Sequence, residues 1–172
     1  MKIWIGILIA IFAAAGSVFA AEVMIEVNLV TADGVGQQIG HIRAADTQYG
    51  LLLKPNLRSL PPGAHGFHLH ENPSCEPAKK DDKMTAAQAA GAHFDPDKSG
   101  KHEGPYANGH VGDIPAIYVE ADGTATLPVL APRLKTATLK GHSIMIHAGG
   151  DNYSDQPPQG GGGARIACGV IK

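Results

Sequence analysis

The sequence predicts an all-β fold, an antiparallel sandwich or barrel, and three observations support it. Short segments alternate apolar and polar residues with a period of two, as in residues 23–29. Turns rich in glycine and proline separate them, and helical patterning is scarce. Many short strands joined by such turns are typical of these architectures. The length of 172 residues fits a single domain.

The first predicted strand has Val23, Ile25, Val27 and Leu29 on one face. Further apolar segments at residues 49–53 and 124–130 predict two more strands. Other local patterns predict two strands in residues 111–131 that join at Asp122-Gly123, and a short helix in residues 84–90.

Two segments are too long and too polar for hairpin turns, residues 71–113 and 149–164. Long loops in a compact β domain are usually functional or disordered. Because the first contains three histidines, a cysteine and many carboxylates, we expect two functional loops.

The first twenty residues have the pattern of a secretory signal peptide. Lys2 is the only charge before Glu22, an apolar run follows it, and Val18-Phe19-Ala20 resembles a cleavage site. The run is shorter than the roughly 20 residues of a transmembrane helix. We therefore expect cleavage after Ala20 and a mature domain of residues 21–172 that does not associate with a membrane.

Charge and cysteine content narrow the function further. The formal net charge of −2 argues against a protein that binds nucleic acid through phosphate contacts. In the oxidising compartment that export implies, Cys75 and Cys168 are most simply a disulfide. Two separate buried thiols are the alternative.

Two histidines of the segment GFHLHE, residues 66–71, alternate with apolar residues. On a strand, His68 and His70 share one face at about 6.5–7 Å and can converge on one ion. Two exposed histidines would show the same pattern.

The first long loop contains a stronger metal-binding pattern. His93, His102, His110 and Asp113 follow the spacing H-x8-H-x7-H-x2-D and supply the four ligands that a closed zinc site needs. The alternative is a set of solvated loop histidines. His147, on an alternating segment at residues 143–147, is by itself more typical of a structural histidine, although His68 and His70 still need partners.

Together, five segments resemble copper,zinc superoxide dismutase, in its bacterial, periplasmic branch. They are GFHLHE (66–71), GAHFDP (91–96), GHVGD (109–113), GGDNYSD (149–155) and GARIACGV (163–170). The resemblance extends over nearly all of residues 21–172. It implies an eight-stranded antiparallel Greek-key barrel with two long functional loops.

The resemblance also implies one copper and one zinc per subunit. By position, the copper ligands are His68, His70, His93 and His147, and the zinc ligands are His93, His102, His110 and Asp113. Three further roles follow in the same way. Asp151 is the carboxylate that links a copper histidine to a zinc histidine, Arg165 lies beside the copper, and Cys75 and Cys168 form the disulfide within the subunit. His41, His65 and His142 match no ligand position.

The implied activity is dismutation of superoxide to dioxygen and hydrogen peroxide in the periplasm, by a monomer or a homodimer. Arg165 orients the anion, and His93 bridges the metals and delivers a proton. Lys79, Lys80 and Lys83 either steer the substrate or keep an exposed loop soluble.

Two other functions fit part of the pattern. A periplasmic copper/zinc buffer without turnover needs the same histidines, but it needs neither Arg165 nor the cysteine pair. A zinc hydrolase would use His93, His102 and His110, yet Asp113 would close the open position that catalysis requires.

Overall fold

Eight antiparallel strands form one sheet that curves into a nearly closed barrel. The computed structural model describes residues 22–172, so the predicted signal peptide lies outside the described residues. The strands are β1 (Val23–Thr31), β2 (Gly34–Thr47), β3 (Gly50–Leu57), β4 (Gly63–His70), β5 (Ala78–Lys80), β6 (Lys83–Thr85), β7 (Asp113–Val119), β8 (Val129–Ala131), β9 (His142–His147) and β10 (Arg165–Ile171). The predicted eight-stranded Greek-key barrel is confirmed.

The strand order in the barrel is β7-β4-β9-β10-β1-β2-β3-β8, and β5 and β6 pair separately as a hairpin. Alternation of side chains builds the core, because every second residue of a strand points inward. Ile25 and Val27 of β1 are buried in it, as are Phe67 and Leu69 of β4. The inward face of β4 thus belongs to the core, which leaves His68 and His70 on the opposite face.

Two long loops cover that outer face of the barrel. The first, residues 71–112, includes the β5–β6 hairpin and a short 3-10 helix, Gln88–Ala90. The second, residues 148–164, includes the 3-10 helix Pro158–Gly161. A disulfide between Cys75 and Cys168 ties the first loop to β10, with Cα atoms 5.7 Å apart. The predicted disulfide is confirmed.

One local prediction is confirmed only in part, and another is wrong. A turn does form at residues 120–124, where the Gly123 amide donates to Glu120 O, but β7 and β8 do not pair across it. Instead β7 pairs with β4 and β8 with β3, since Ala125 bridges to Leu57 as soon as the turn ends. Residues 84–90 form the end of β6 and the 3-10 helix rather than one helix.

Helix is scarce in the described part of the chain. The α-helix α1 spans only Thr136–Leu139, and its first turn is held by the Asp46 carboxylate, which accepts from the backbone and hydroxyl of Thr136 at 2.8 Å. Within residues 22–172, no helix has the length and apolar character needed to cross a membrane.

Candidate metal centre

The predicted ligands come from two adjacent strands and one loop. His68 and His70 lie on β4, which pairs with β9 so that Phe67 faces Ile146 and His68 faces Met145. His147 ends β9 beside them, and His93 joins from the loop through an isolated bridge with His70. All four histidines are buried. Pairing of neighbouring strands therefore brings together residues that are up to 79 positions apart in the sequence.

The first donor group consists of His68, His70, His93 and His147. One ring nitrogen of each lies within 4.8 Å of the others, close enough for a single ion to contact all four. The imidazole rings of His68 and His93 stack with centroids 3.9 Å apart. This set has only nitrogen donors, and imidazole is a suitable ligand for copper and for zinc.

The second donor group centres on the Asp113 carboxylate at the start of β7. Its Oδ1 lies 3.0 Å from His93 Nδ1, 3.0 Å from His102 Nδ1 and 3.4 Å from His110 Nδ1. Four donors within 4.8 Å of one another are those of His68, His93, His102 and Asp113, and His110 is outside this tighter set. Both His68 and His93 occur in the two sets of close donors, so the two candidate sites lie side by side.

Six buried histidine nitrogens have no hydrogen-bond partner among the described residues. They are His68 Nδ1, His70 Nε2, His93 Nε2, His102 Nδ1, His110 Nδ1 and His147 Nε2. Leaving a buried polar atom unpaired costs about 1–3 kcal/mol, so such atoms are rare in folded proteins. Six unpartnered nitrogens in two neighbouring clusters fit a pair of bound cations, which would accept their lone pairs.

The other nitrogen of five of these rings has an acceptor. His68 Nε2 and His102 Nε2 donate to Asp151 at 2.7 and 2.8 Å, and His93 Nδ1 contacts Asp113. His70 Nδ1 donates to Gly91 O at 3.1 Å, and His147 Nδ1 to Gly163 O at 3.2 Å. Because a neutral imidazole carries one proton, each acceptor leaves a lone pair on the unpartnered nitrogen. The neutral rings of His68, His70 and His147 are thus held in the tautomers that leave the unpartnered nitrogen free to ligate a metal.

Burial keeps the first donor group neutral. It lowers the pKa of His68 and of His70 well below the usual range, and it lowers the pKa of His147 to about 4. Desolvation disfavours the charged imidazolium, so the rings keep their lone pairs at neutral pH.

The second donor group is dominated by carboxylates. Burial by itself would lower the pKa of His102, but the carboxylates of Asp113 and Asp151 outweigh it and raise that pKa to about 9. Burial would likewise raise the pKa of Asp113, yet the rings of His102, His110 and His93 hold it well below its usual range. Without metal, His102 therefore holds a proton that a cation would displace.

Arg165, the first residue of β10, lies opposite His147 in the β9–β10 register. Its guanidinium donates to Ala87 O at 2.7 Å and to Gly91 O at 2.6 Å. After burial and the neighbouring imidazoles, the charge of Arg165 contributes to the low pKa of His70 and His147. A fixed cation therefore lies next to the first donor group.

Several contributors to the site had no recognisable sequence signal. The carbonyl of Gly91 accepts from both His70 and Arg165, and any residue type could supply it. Gly160 has a positive φ of 70° and packs against Asp151 so closely that a Cβ there would overlap the carboxylate.

His65 contacts the carbonyl oxygens of Pro61 and His147 at 2.7 Å each, and His142 contacts Glu71 O at 2.8 Å. Both of these rings bind backbone rather than joining a donor group.

The chain is similar to known copper/zinc enzymes along nearly its whole length. The family model for copper/zinc superoxide dismutase matches residues 39–171. Cu-Zn superoxide dismutase 2 of Salmonella typhimurium is 56% identical and the Cu-Zn superoxide dismutase of Escherichia coli K12 is 54% identical, each over 167 residues that cover 96% of both chains.

Two solved structures resemble the fold closely. The Cu/Zn superoxide dismutase from Brucella abortus has a TM-score of 0.86 at 47% identity, and the monomeric copper, zinc superoxide dismutase from Salmonella enterica has one of 0.80 at 57% identity. Each match covers 88% of this chain and 100% of the other. On the strength of these matches, the chain belongs to the copper/zinc superoxide dismutase family.

Proposed function

We propose that this protein dismutates superoxide at a copper held by His68, His70, His93 and His147, beside a zinc held by His93, His102, His110 and Asp113. It is a superoxide dismutase, an oxidoreductase whose cofactors are copper and zinc. Two superoxide anions and two protons give one dioxygen and one hydrogen peroxide.

The pattern of unpartnered nitrogens is the observation that carries the ligand assignment. Each of the six histidines in the two sets leaves one buried nitrogen without a protein partner. We place His110 in the zinc set because its buried Nδ1 has no hydrogen-bond partner and lies 3.4 Å from Asp113 Oδ1, and we assign His68 to the all-nitrogen group. Three imidazoles and one carboxylate make a closed four-ligand site, which is the form typical of structural zinc.

Copper supplies the one-electron redox chemistry that dismutation needs, and zinc, which has no redox chemistry of its own, supplies a fixed positive charge next to His93. The residues of the chain bind the substrate and supply a proton. Arg165 presents a guanidinium that is already held by two carbonyls, so little entropy is lost when it binds a small anion. Its forked donors suit a species with two oxygens.

His93 is suited to deliver a proton. Its Nδ1 lies 3.0 Å from Asp113 Oδ1, which leaves Nε2 for the set with His68, His70 and His147. We assign proton uptake and release to Nε2, which is buried and has no competing hydrogen-bond partner in the described chain. The fixed orientation of the ring thus presents Nε2 as the atom that passes a proton to the reduced substrate.

The finer points of location and assembly are also proposals. The relatives are bacterial and the disulfide suits an oxidising compartment. We propose export to the periplasm, removal of residues 1–20 after Ala20, and a mature domain of residues 21–172. The Salmonella enterica relative is described as monomeric, which supports a monomer over a homodimer here. Mass spectrometry of periplasmic protein and analytical ultracentrifugation test these points.

The decisive experiment combines metal analysis with a dismutation assay on the mature protein. We expect one copper and one zinc per chain, and loss of both copper and activity in His68→Ala. Arg165→Ala should keep its copper but lose about tenfold or more in kcat/KM, because fixed charge at the site speeds capture of an anion. His41→Ala, outside both donor groups, is the control.

Two results would contradict the proposal. Full loading with both metals but no dismutation would favour a metal buffer without turnover. Loss of copper in Arg165→Ala would mean that Arg165 supports the metal site rather than the substrate.

A further inference from the structure

Arg133 connects the barrel to the loop that carries His110. It lies just after β8, between Ala131 and Leu134, which are both buried in the core at 1% exposure. Its Nη2 donates to Gly109 O at 2.7 Å and its Nη1 to His110 O at 3.2 Å. The backbone of Arg133 is therefore anchored in the barrel, while its side chain binds two successive carbonyls of the loop.

The loop around His110 is held by few other contacts. The His110 amide donates to Lys101 O at 2.9 Å, and His110 O also accepts from the Asp113 amide at 3.2 Å. Gly109 lies so close to residues 101–103 that a Cβ would come within 2.6 Å of Lys101 O. The Leu69 amide of β4 also donates to Gly112 O at 2.9 Å, so the C-terminal side of His110 is tied to the barrel through the backbone. Arg133 adds a side-chain link from the segment after β8, and it binds Gly109 and His110 themselves.

His110 is also the most accessible donor of the proposed zinc set. Its side chain is 15% exposed, whereas those of His93, His102 and Asp113 are fully buried. A chelated ion leaves by detaching its donors one after another, and the donor with access to solvent is the one that can detach first. Escape of zinc therefore begins at His110, the donor whose backbone Arg133 holds.

We propose that Arg133 is a positioning residue that keeps His110 in place and thereby sets the rate at which zinc leaves the site. The inference rests on the proposed assignment of His110 to zinc. Two charge-assisted hydrogen bonds to neighbouring carbonyls restrict the loop, so a His110 ring that has detached rebinds before the ion is lost. Residues that orient a ligand typically change metal affinity by 10–100-fold.

The test measures zinc release from the mature, copper- and zinc-loaded protein into an excess of a chromogenic chelator. We expect Arg133→Ala to release zinc about 10–100-fold faster than the unmodified chain, with copper release unchanged. Arg133→Lys should fall between them, because an ammonium replaces two forked donors with a point charge. Arg58→Ala is the matched control, since Arg58 is exposed and its side chain makes no hydrogen bond within residues 22–172.

The possible outcomes separate the alternatives. Equal zinc release in all variants would overturn the role of Arg133. Parallel acceleration of copper and zinc release would also overturn it, since that would show general loosening rather than positioning of His110. If Arg133→Ala does not fold, Arg133→Lys alone must still release zinc faster than Arg58→Ala, or the proposal fails. A parent protein that binds no zinc, or an Asp113→Ala variant that keeps it, would instead refute the zinc assignment.

Discussion

Asp151 contacts His68, a proposed copper ligand, and His102, a proposed zinc ligand, through a different carboxylate oxygen for each. Oδ2 accepts from His68 and Oδ1 from His102, and the Tyr153 amide donates to Oδ1 as well. These neighbours outweigh burial and hold the pKa of Asp151 well below its usual range. One anionic side chain therefore fixes the orientation of a proposed copper ligand and of a proposed zinc ligand.

Replacing Asp151 by Asn is expected to weaken both metal sites. An amide keeps the shape but has one oxygen, so it cannot accept from both rings. We expect copper and zinc affinity to fall by about 10–100-fold each, measured by competition with chelators. Asp33→Asn, on an exposed turn, is the control. Weakening of only one metal would show that the carboxylate does not couple the two sites.

At the scale of elements, the disulfide, the first loop and Arg165 form one connected unit. Cys75 ties the loop to β10, the same strand that begins with Arg165. Further along that loop, Ala87 and Gly91 supply the two carbonyls that bind the guanidinium. The orientation of Arg165 thus depends on a loop whose position the disulfide secures.

We expect the double variant Cys75→Ser, Cys168→Ser to lose both stability and activity. The bond closes a loop with a sequence separation of 93, and chain entropy assigns such a bond about 4 kcal/mol. Urea denaturation measures this loss. Activity per bound copper should also fall, because the acceptors of Arg165 are no longer secured.

Unchanged activity per copper in this double variant, despite lower stability, would mean that Arg165 is oriented without help from the disulfide. The parent protein treated with a reductant serves as the comparison, because it lacks the disulfide but keeps both sulfur atoms.

At the scale of the whole molecule, the net charge of −2 does not attract an anion, so any attraction must come from local charge. Lys79, Lys80 and Lys83 are exposed on the β5–β6 hairpin. The hairpin packs against the 3-10 helix Gln88–Ala90, which lies between the two carbonyls that hold Arg165. The fold therefore places these lysines next to the segment that holds Arg165.

Neutralising the three lysines to Gln should reduce kcat/KM by several-fold at low salt, since local positive charge raises the capture rate of anions by about 10-fold or more. The rate should also depend less on ionic strength, because salt then has less electrostatic attraction between protein and substrate to screen. Lys140→Gln, at an exposed lysine outside the hairpin, is the control. An unchanged rate and salt slope would leave the lysines with a role in solubility alone.

The metal-free protein should be most stable near neutral pH. His68, His70 and His147 have folded pKa values below the unfolded value of 6.5, so the stability from keeping them neutral is lost as the pH falls from about 6.5 to 4. His102 acts in the opposite direction. Its pKa is raised to about 9, so its contribution is complete below 6.5 and is lost as the pH rises toward 9.

Urea denaturation of the metal-free protein across pH 4–9 measures this profile. Added zinc should flatten the alkaline side, because the ion replaces the proton on His102. A profile that rises steadily toward pH 9 would contradict the raised pKa of His102.

Much of the fold follows from local sequence patterns. The period of two in β1, β4 and β9 identifies strands and separates core residues from histidines, because it depends only on the geometry of an extended chain. The pairing of β8 could not be predicted in this way. β8 pairs with β3, which lies more than 70 residues earlier in the chain, and a local sequence pattern contains no information about such a long-range pairing.

By itself, the sequence predicted several of the strands and the cysteine pair, and its resemblance to the family implied the proposed ligands, because residue type, order and spacing are written in the chain. Only the tertiary structure decided how these ligands work together. It brings both His68 and His93 within reach of both donor groups, and it brings Arg165 to two carbonyls and Arg133 to two others. These contacts use backbone atoms and distances across strands, and such positions exist only once the barrel has closed.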